Sequence, residues 1–157
     1  MTEEYLFLGE DLEALKAEVG RLQNENREIG QEKALATSQS SETWHDNFGF
    51  EETNRQQMQY GARIGQLMRI ISHARIVPWP GLTELVAIGH TVTVENPDTG
   101  EKKTFRIGSY LTPGADSSVI PYSSPIGRAL LKKAKGETVS AKLPAGIRKY
   151  KIIEIEL

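Results

Sequence analysis

Between Ser38 and Thr53 the chain has no aliphatic side chain, yet it sets Asp46 and Asn47 there, a few residues ahead of Phe50. A carboxylate in such a stretch can cap the helix that follows by accepting from its free amides, an effect of about 1 kcal/mol. On residue type alone, capping is the leading reading for it. Around it, Phe48 and Phe50 suit the closing of an apolar seam, whereas Trp44 and His45 fit a packed loop as well as a contact with a partner. His45 is not assigned as a general base.

Little else in the chain offers chemistry. Without cysteine there is no disulfide framework, thiolate nucleophile or cysteine zinc site. His45, His73 and His90 are too scattered to suggest a metal cluster. Arg55, Arg63 and Arg69 fall within roughly 120° of one helix face at about 100° per residue. That face either guides an anionic strand or is simply solvated, with Glu51 and Glu52 spaced to pair with Arg55.

Two ladders position these residues. Leu8, Leu12, Leu15, Val19, Leu22, Asn26 and Ile29 step by alternating threes and fours, and so do Phe50, Thr53, Gln57, Tyr60, Ile64, Leu67, Ile71 and Ala74, the spacing of a coiled-coil seam. Packed antiparallel with Leu8 beside Ala74, facing residues carry numbers that sum to about 82, which puts the fold-back near residue 41 and Asp46 a turn beyond it. Roughly thirty residues at about 1.5 Å each make a rod about 45 Å long. Its apolar content declines from the Leu8 end toward the turn, so the tip is not there for stability alone. Asn26 is the kind of seam residue that sets register.

At 157 residues the rod leaves about half the chain for a compact unit. The net charge of −2 hides an asymmetry: residues 1–80 carry eight Lys/Arg against thirteen Asp/Glu, and residues 81–157 eleven against eight. A chain that worked by neutralising many phosphates would be far more basic, so free nucleic acid is a poor main partner. No apolar run approaches the roughly twenty residues of a membrane span, and the start lacks a secretory signal, so a cytoplasmic protein with no membrane partner is expected.

Pro78-Trp79-Pro80-Gly81 stops the second helix, because proline lacks an amide and biases its neighbour away from helix. Residues 1–77 are therefore expected as the coiled-coil domain with its tip near 41–50, residues 78–83 as a linker, and 84–157 as a second domain. There Thr91–Glu95 and Glu101–Ile107 flank Asn96-Pro97-Asp98-Thr99-Gly100, a β-hairpin with Gly100 in the left-handed position. Ser124-Pro125 reads as an N-cap and first helical residue, opening a short helix through Leu130 and Leu131 that Gly136 ends. Strands near 138–142 and 149–157 follow, the last with Ile153, Ile155 and Leu157 on its buried face. The fold class is α+β: an antiparallel helical hairpin, then a small antiparallel sheet with one helix.

The stretches GHTVTVENPDTGEKKTFRIG and SSPIGRALLKKAKGETVSAKLPAGIRKYKIIEIEL resemble the C-terminal domain of the bacterial Gre transcript-cleavage factors, GreA and GreB, over about residues 84–157. A preceding coiled coil is also that family's architecture. The resemblance implies an FKBP-like C-terminal domain that binds the rim of the secondary channel of RNA polymerase. It also implies a coiled coil that enters the channel, and tip carboxylates that help the polymerase cleave the extruded 3′ end of a backtracked transcript. The partners are then RNA polymerase and the nascent RNA 3′ end, and the chain is a monomeric accessory factor rather than an enzyme. No stably bound cofactor is implied, only magnesium shared with the polymerase active site.

The family's tip carries an acidic residue, two spacers, then a second acidic residue followed by Asn. Laying Asn47 on that Asn puts Asp46 at the second acidic position and Thr43 at the first, with Glu42 one residue earlier as the substitute ligand. By the same resemblance Ser124 and Pro125 touch the polymerase, and Arg55, Arg63 and Arg69 are candidates to contact RNA. Three other readings stand beside it. One is a channel-binding regulator or inhibitor without cleavage activity. A prolyl isomerase would have to use Phe105, Tyr110, Tyr122 or Tyr150, and a coiled-coil adaptor would pair the two ladders between chains.

Overall fold

The apolar run Tyr5-Leu6-Phe7-Leu8 extends rather than coils. In the computed structural model, which describes residues 3–39 and 47–157, it forms strand β1 (Tyr5–Leu8) parallel to β2 (Ala74–Val77), with Tyr5 opposite Ala74 and Leu8 opposite Val77. The expected antiparallel helical contact of Leu8 with Ala74 is thus replaced by a strand pair. Bulky side chains at both segments favour that pleat. The helices α1 (Gly9–Gln39) and α2 (Asn47–Ser72) lie between these strands in sequence.

The chain divides into two compact units, Met1–Ala14 with Ala74–Leu157, and Leu15–His73. In the first, a five-stranded sheet has the order β5-β4-β3-β7-β6, with β3 (Thr91–Glu95), β4 (Lys102–Gly108), β5 (Val119–Pro121), β6 (Thr138–Leu143) and β7 (Gly146–Glu156). The α+β class holds. The sheet itself is mixed, since β5, which sequence alone did not suggest, joins β4 in parallel while every other pair is antiparallel. Gly100 takes φ +74° in the β3–β4 turn, as its position requires. The short helix α3 (Pro125–Leu130) starts at the Ser124 cap. It stops at Leu130, well before Gly136, because Lys132 turns left-handed at φ +65°.

The core of this unit joins Leu8 to Val86, Val92, Val94, Ile107, Leu130, Val139, Tyr150 and Ile152. The buried face of β7 is not the expected Ile153, Ile155, Leu157 set: Ile152 and Ile155 are buried and Leu157 is exposed. A β-bulge explains the change of phase. Opposite β3 the register jumps between Thr93 and Val94, pairing Thr93 with Glu154 but Val94 with Ile152, so Ile153 has no partner across the ladder. His90, fully buried, accepts from the Ala87 amide at Nδ1 (3.0 Å) and donates from Nε2 to the Gly81 carbonyl (2.8 Å). It is a neutral imidazole pinning the Pro78–Gly81 segment, not a metal ligand.

In the second unit Leu15, Val19, Leu67 and Ile70 are buried, and the seam then turns half-buried at Leu22, Asn26, Ile29, Gln57, Tyr60 and Ile64. The Tyr60 hydroxyl donates to Glu25 Oε2 at 2.7 Å, Lys33 bonds Asn54, and a Cβ added at Gly30 would meet Gln57 Nε2 at 3.0 Å. Those pairs confirm an antiparallel hairpin. Their residue numbers sum to 85 or 87, a register a few residues later than expected, because polar partners and the absence of a side chain at Gly30 decide the facing there. Asn26 Oδ1 is buried without a hydrogen-bond partner. No described helix is long and apolar enough to cross a membrane.

Candidate functional site

Ser124 sits in extended backbone (φ −67°, ψ 160°) immediately before α3. Its Oγ accepts from the Gly127 amide at 3.1 Å and donates to the Pro121 carbonyl at 2.7 Å, while Pro125 takes the first helical position, where its missing amide costs nothing. The helix entrance is therefore fixed twice over. A Cβ at Gly127 would meet the Pro121 carbonyl and, at 2.9 Å, Tyr122 Cα, so only glycine lets α3 approach β5 this closely.

Beside that entrance lies an open cavity that sequence reasoning missed, about 430 Å³, bordered by Tyr5, Tyr110, Tyr122, Ser123, Arg128 and Lys132 together with Glu3 and Glu4. The rings of Tyr5 and Tyr110 are 4.4 Å apart, and those of Tyr110 and Tyr122 6.4 Å apart. Backbone bonds hold this arrangement. The Leu6 amide donates to the Tyr122 hydroxyl (3.1 Å), the Tyr110 amide to the Leu6 carbonyl (3.0 Å), and the Leu8 amide to buried Ser109 Oγ (2.8 Å), which itself donates to Asp11 (2.5 Å). Lys132 borders the cavity from a left-handed backbone, a strain of order 1–3 kcal/mol for a residue with a side chain. Aromatic rings flanked by cations and acids are the kind of lining that binds a ligand. The only sequence signal for this site was Tyr110 and Tyr122, and Tyr5 is brought in by β1.

The remaining predicted residues do not gather there. Tyr150 is buried in the core with its hydroxyl unpartnered. On α2, exposed Arg55 pairs with Glu52 at 2.7 Å, so its guanidinium is held more basic than usual by that carboxylate, and Arg63 donates to Gln66 at 3.1 Å. Arg69 is exposed, and its carbonyl accepts from Ser72 Oγ at 2.7 Å. Glu42, Thr43, Trp44, His45 and Asp46 lie outside the described residues, as do the side chains of Phe48 and Phe50. Among the described residues no three His, Cys, Asp or Glu side chains converge to hold a metal.

Residues 82–157 match the profile described as "Transcription elongation factor, GreA/GreB, C-term". The chain is 34% identical to the transcription elongation factor GreA of Thermosipho africanus (strain TCF52B) over 100% of each chain. With GreA of Legionella pneumophila (strain Lens) it shares 34% identity over 94% of this chain and 92% of that one. Among solved structures, the GreA factor homolog 1 (Gfh1) protein of Thermus thermophilus is 26% identical, covers 99% of this chain and 100% of its own, and superposes with a TM-score of 0.46.

Proposed function

This chain belongs to the GreA/GreB family of transcription elongation factors, and from that premise we propose that it binds bacterial RNA polymerase at the secondary channel and stimulates cleavage of backtracked nascent RNA by the polymerase active site. The observation that carries the reading is identity at 34% over the whole of both chains, helical hairpin included. A factor of this kind acts as a monomer and catalyses nothing alone. Phosphodiester hydrolysis proceeds fastest with two divalent ions about 4 Å apart, and magnesium accepts carboxylate oxygens readily. Asp46, with Glu42, would supply such oxygens to an ion that the polymerase holds loosely. The entrance of α3 at Ser124 and Pro125 is the docking point on the polymerase, and Arg55, Arg63 and Arg69 face the RNA.

The test is a cleavage assay on stalled, backtracked complexes with magnesium. Asp46→Ala is expected to abolish stimulated cleavage and leave binding to the polymerase intact; undiminished cleavage removes Asp46 from the mechanism. A second reading, a channel-occupying regulator without cleavage activity, is favoured by Thr43 standing where the family pattern has its first acid. Under that reading the wild-type chain inhibits elongation without releasing RNA fragments, and Thr43→Glu creates cleavage activity where there was none.

A further inference from the structure

Charge in the cavity beside the α3 entrance is answered on one side and unmet on the other. Of its two acids, Glu3 accepts from the Tyr5 hydroxyl at 3.0 Å and Glu4 pairs with Arg75 at 3.4 Å. Its two cations, Arg128 and Lys132, are exposed and make no ion pair or side-chain hydrogen bond among the described residues. Two hydroxyls join them. That of Tyr122 accepts from the Leu6 amide at 3.1 Å, which leaves its own proton to donate, and Ser123 Oγ has no partner among the described residues. Four donors therefore border one cavity with no described acceptor engaging them, while the half-buried Tyr5, Tyr110 and Leu131 supply apolar surface. Lys132 is the least expected of the four. It follows the Leu131 cap at φ +65°, with its amide on the Val86 carbonyl at 2.8 Å, a helix-end position that glycine fills without cost. Positive charge at that helix end does not account for it, since Lys133 brings the same charge from ordinary backbone. A side chain kept in strained backbone is a mark of ligand clamps.

We propose that this cavity binds a small aromatic phosphate monoester, with Arg128, Lys132, Ser123 and Tyr122 donating to the phosphate and the ring laid on Tyr5 and Tyr110. A phosphate monoester carries about two negative charges near neutral pH and three strong acceptor oxygens, which answers two cations and two hydroxyls together. A carboxylate or an internal phosphodiester has a single charge and leaves one cation unmet. The guanidinium of Arg128 can bond two phosphate oxygens at once, and Lys132 acts beside it as a point charge. Glu3 and Glu4 repel the phosphate from the β1 side of the cavity, so it lies toward α3 and the ring toward β1. Aromatic rings attract another ring in tilted or offset contact, and inorganic phosphate alone would leave that surface uncovered. The volume of about 430 Å³ suits one small molecule.

Calorimetric titration of the full chain with phenyl phosphate, without polymerase or RNA, tests the site independently of transcript cleavage. Inorganic phosphate, which lacks the ring, should bind about tenfold more weakly, and phenylacetate and phenol, with one charge and none, should fall below phenyl phosphate in that order. Arg128→Gln should cost about tenfold in affinity, the scale of one charged hydrogen bond. Lys132→Gly separates the ligand role from a structural one: relief of the left-handed strain should raise the melting temperature while affinity falls by about the same factor. Tyr110→Leu should weaken phenyl phosphate more than inorganic phosphate, and Lys133→Gln should change neither. Absence of phenyl phosphate binding, equal affinity for inorganic phosphate, or unchanged affinity in Arg128→Gln or Lys132→Gly overturns the proposal. So does binding of a phosphotyrosine peptide where phenyl phosphate fails, since the occupant is then a peptide segment rather than a small molecule.

Discussion

Leu130 and Ile152 of the sheet unit are fully buried, whereas no described side chain of the helical unit between Leu22 and Ile64 is. The sheet unit ties its backbone across long sequence separations and closes a buried core from Leu8 to Ile155. The helical unit has one narrow seam, apolar at Leu15, Val19, Leu67 and Ile70 and then increasingly polar through Asn26, Lys33, Asn54 and Gln57. Packing free energy is therefore concentrated where the polypeptide doubles back most often. The far part of the hairpin is freer to carry side chains chosen for a partner, because few of them must also fill a core.

If that contrast is right, core truncations should separate the units sharply. Ile152→Ala should cost about 2–5 kcal/mol by denaturant unfolding, the range for emptying a fully buried aliphatic site, and Leu22→Ala, at a half-buried seam position, clearly less. Equal losses would erase the contrast. Gly127→Ala should follow at about 1–3 kcal/mol, since the new methyl has no room against β5. Ser124→Ala removes the α3 cap for about 1 kcal/mol and should loosen polymerase binding more than it changes melting.

In the helical unit the sign should reverse at one position. Asn26→Leu replaces a buried carbonyl oxygen that has no partner, so the hairpin should gain about 1 kcal/mol, the order of an unmet desolvation penalty, at the expense of register. The smallest effects are those of pH. The Arg21 hydrogen bond holds the Glu18 carboxyl below its ordinary value of 4.5, so its contribution is complete above that value and lost as pH falls through the depressed one. Tyr60 is pushed above its ordinary 10.0, first by its hydrogen bond to Glu25; that contribution is complete below pH 10 and lost as pH rises through the elevated value. Amide exchange near residues 18 and 60 should show both steps, and Tyr60→Phe should remove the alkaline one.

Much of the architecture was legible because it is local. Threes and fours in leucine spacing, Asn96–Gly100 between alternating runs, and Ser124-Pro125 ahead of an apolar turn each encode their conformation within a few residues. The family likeness extended that legibility to membership among GreA/GreB transcription elongation factors. The cavity of Tyr5, Tyr110 and Tyr122 was not legible, since its three rings come from separate segments, and nothing near Tyr5 in sequence points to the others.

Sequence by itself determined the two helices, their antiparallel sense, the β3–β4 hairpin and the capped start of α3, because steric and hydrogen-bonding preferences act between near neighbours. Only the tertiary structure decided that Leu8 and Ala74 belong to parallel strands and that a bulge moves the buried face of β7 from Ile153 to Ile152. Those outcomes depend on which distant segment supplies the partner hydrogen bonds, and a side-chain pattern of period two fits either face of a strand until that partner fixes its register.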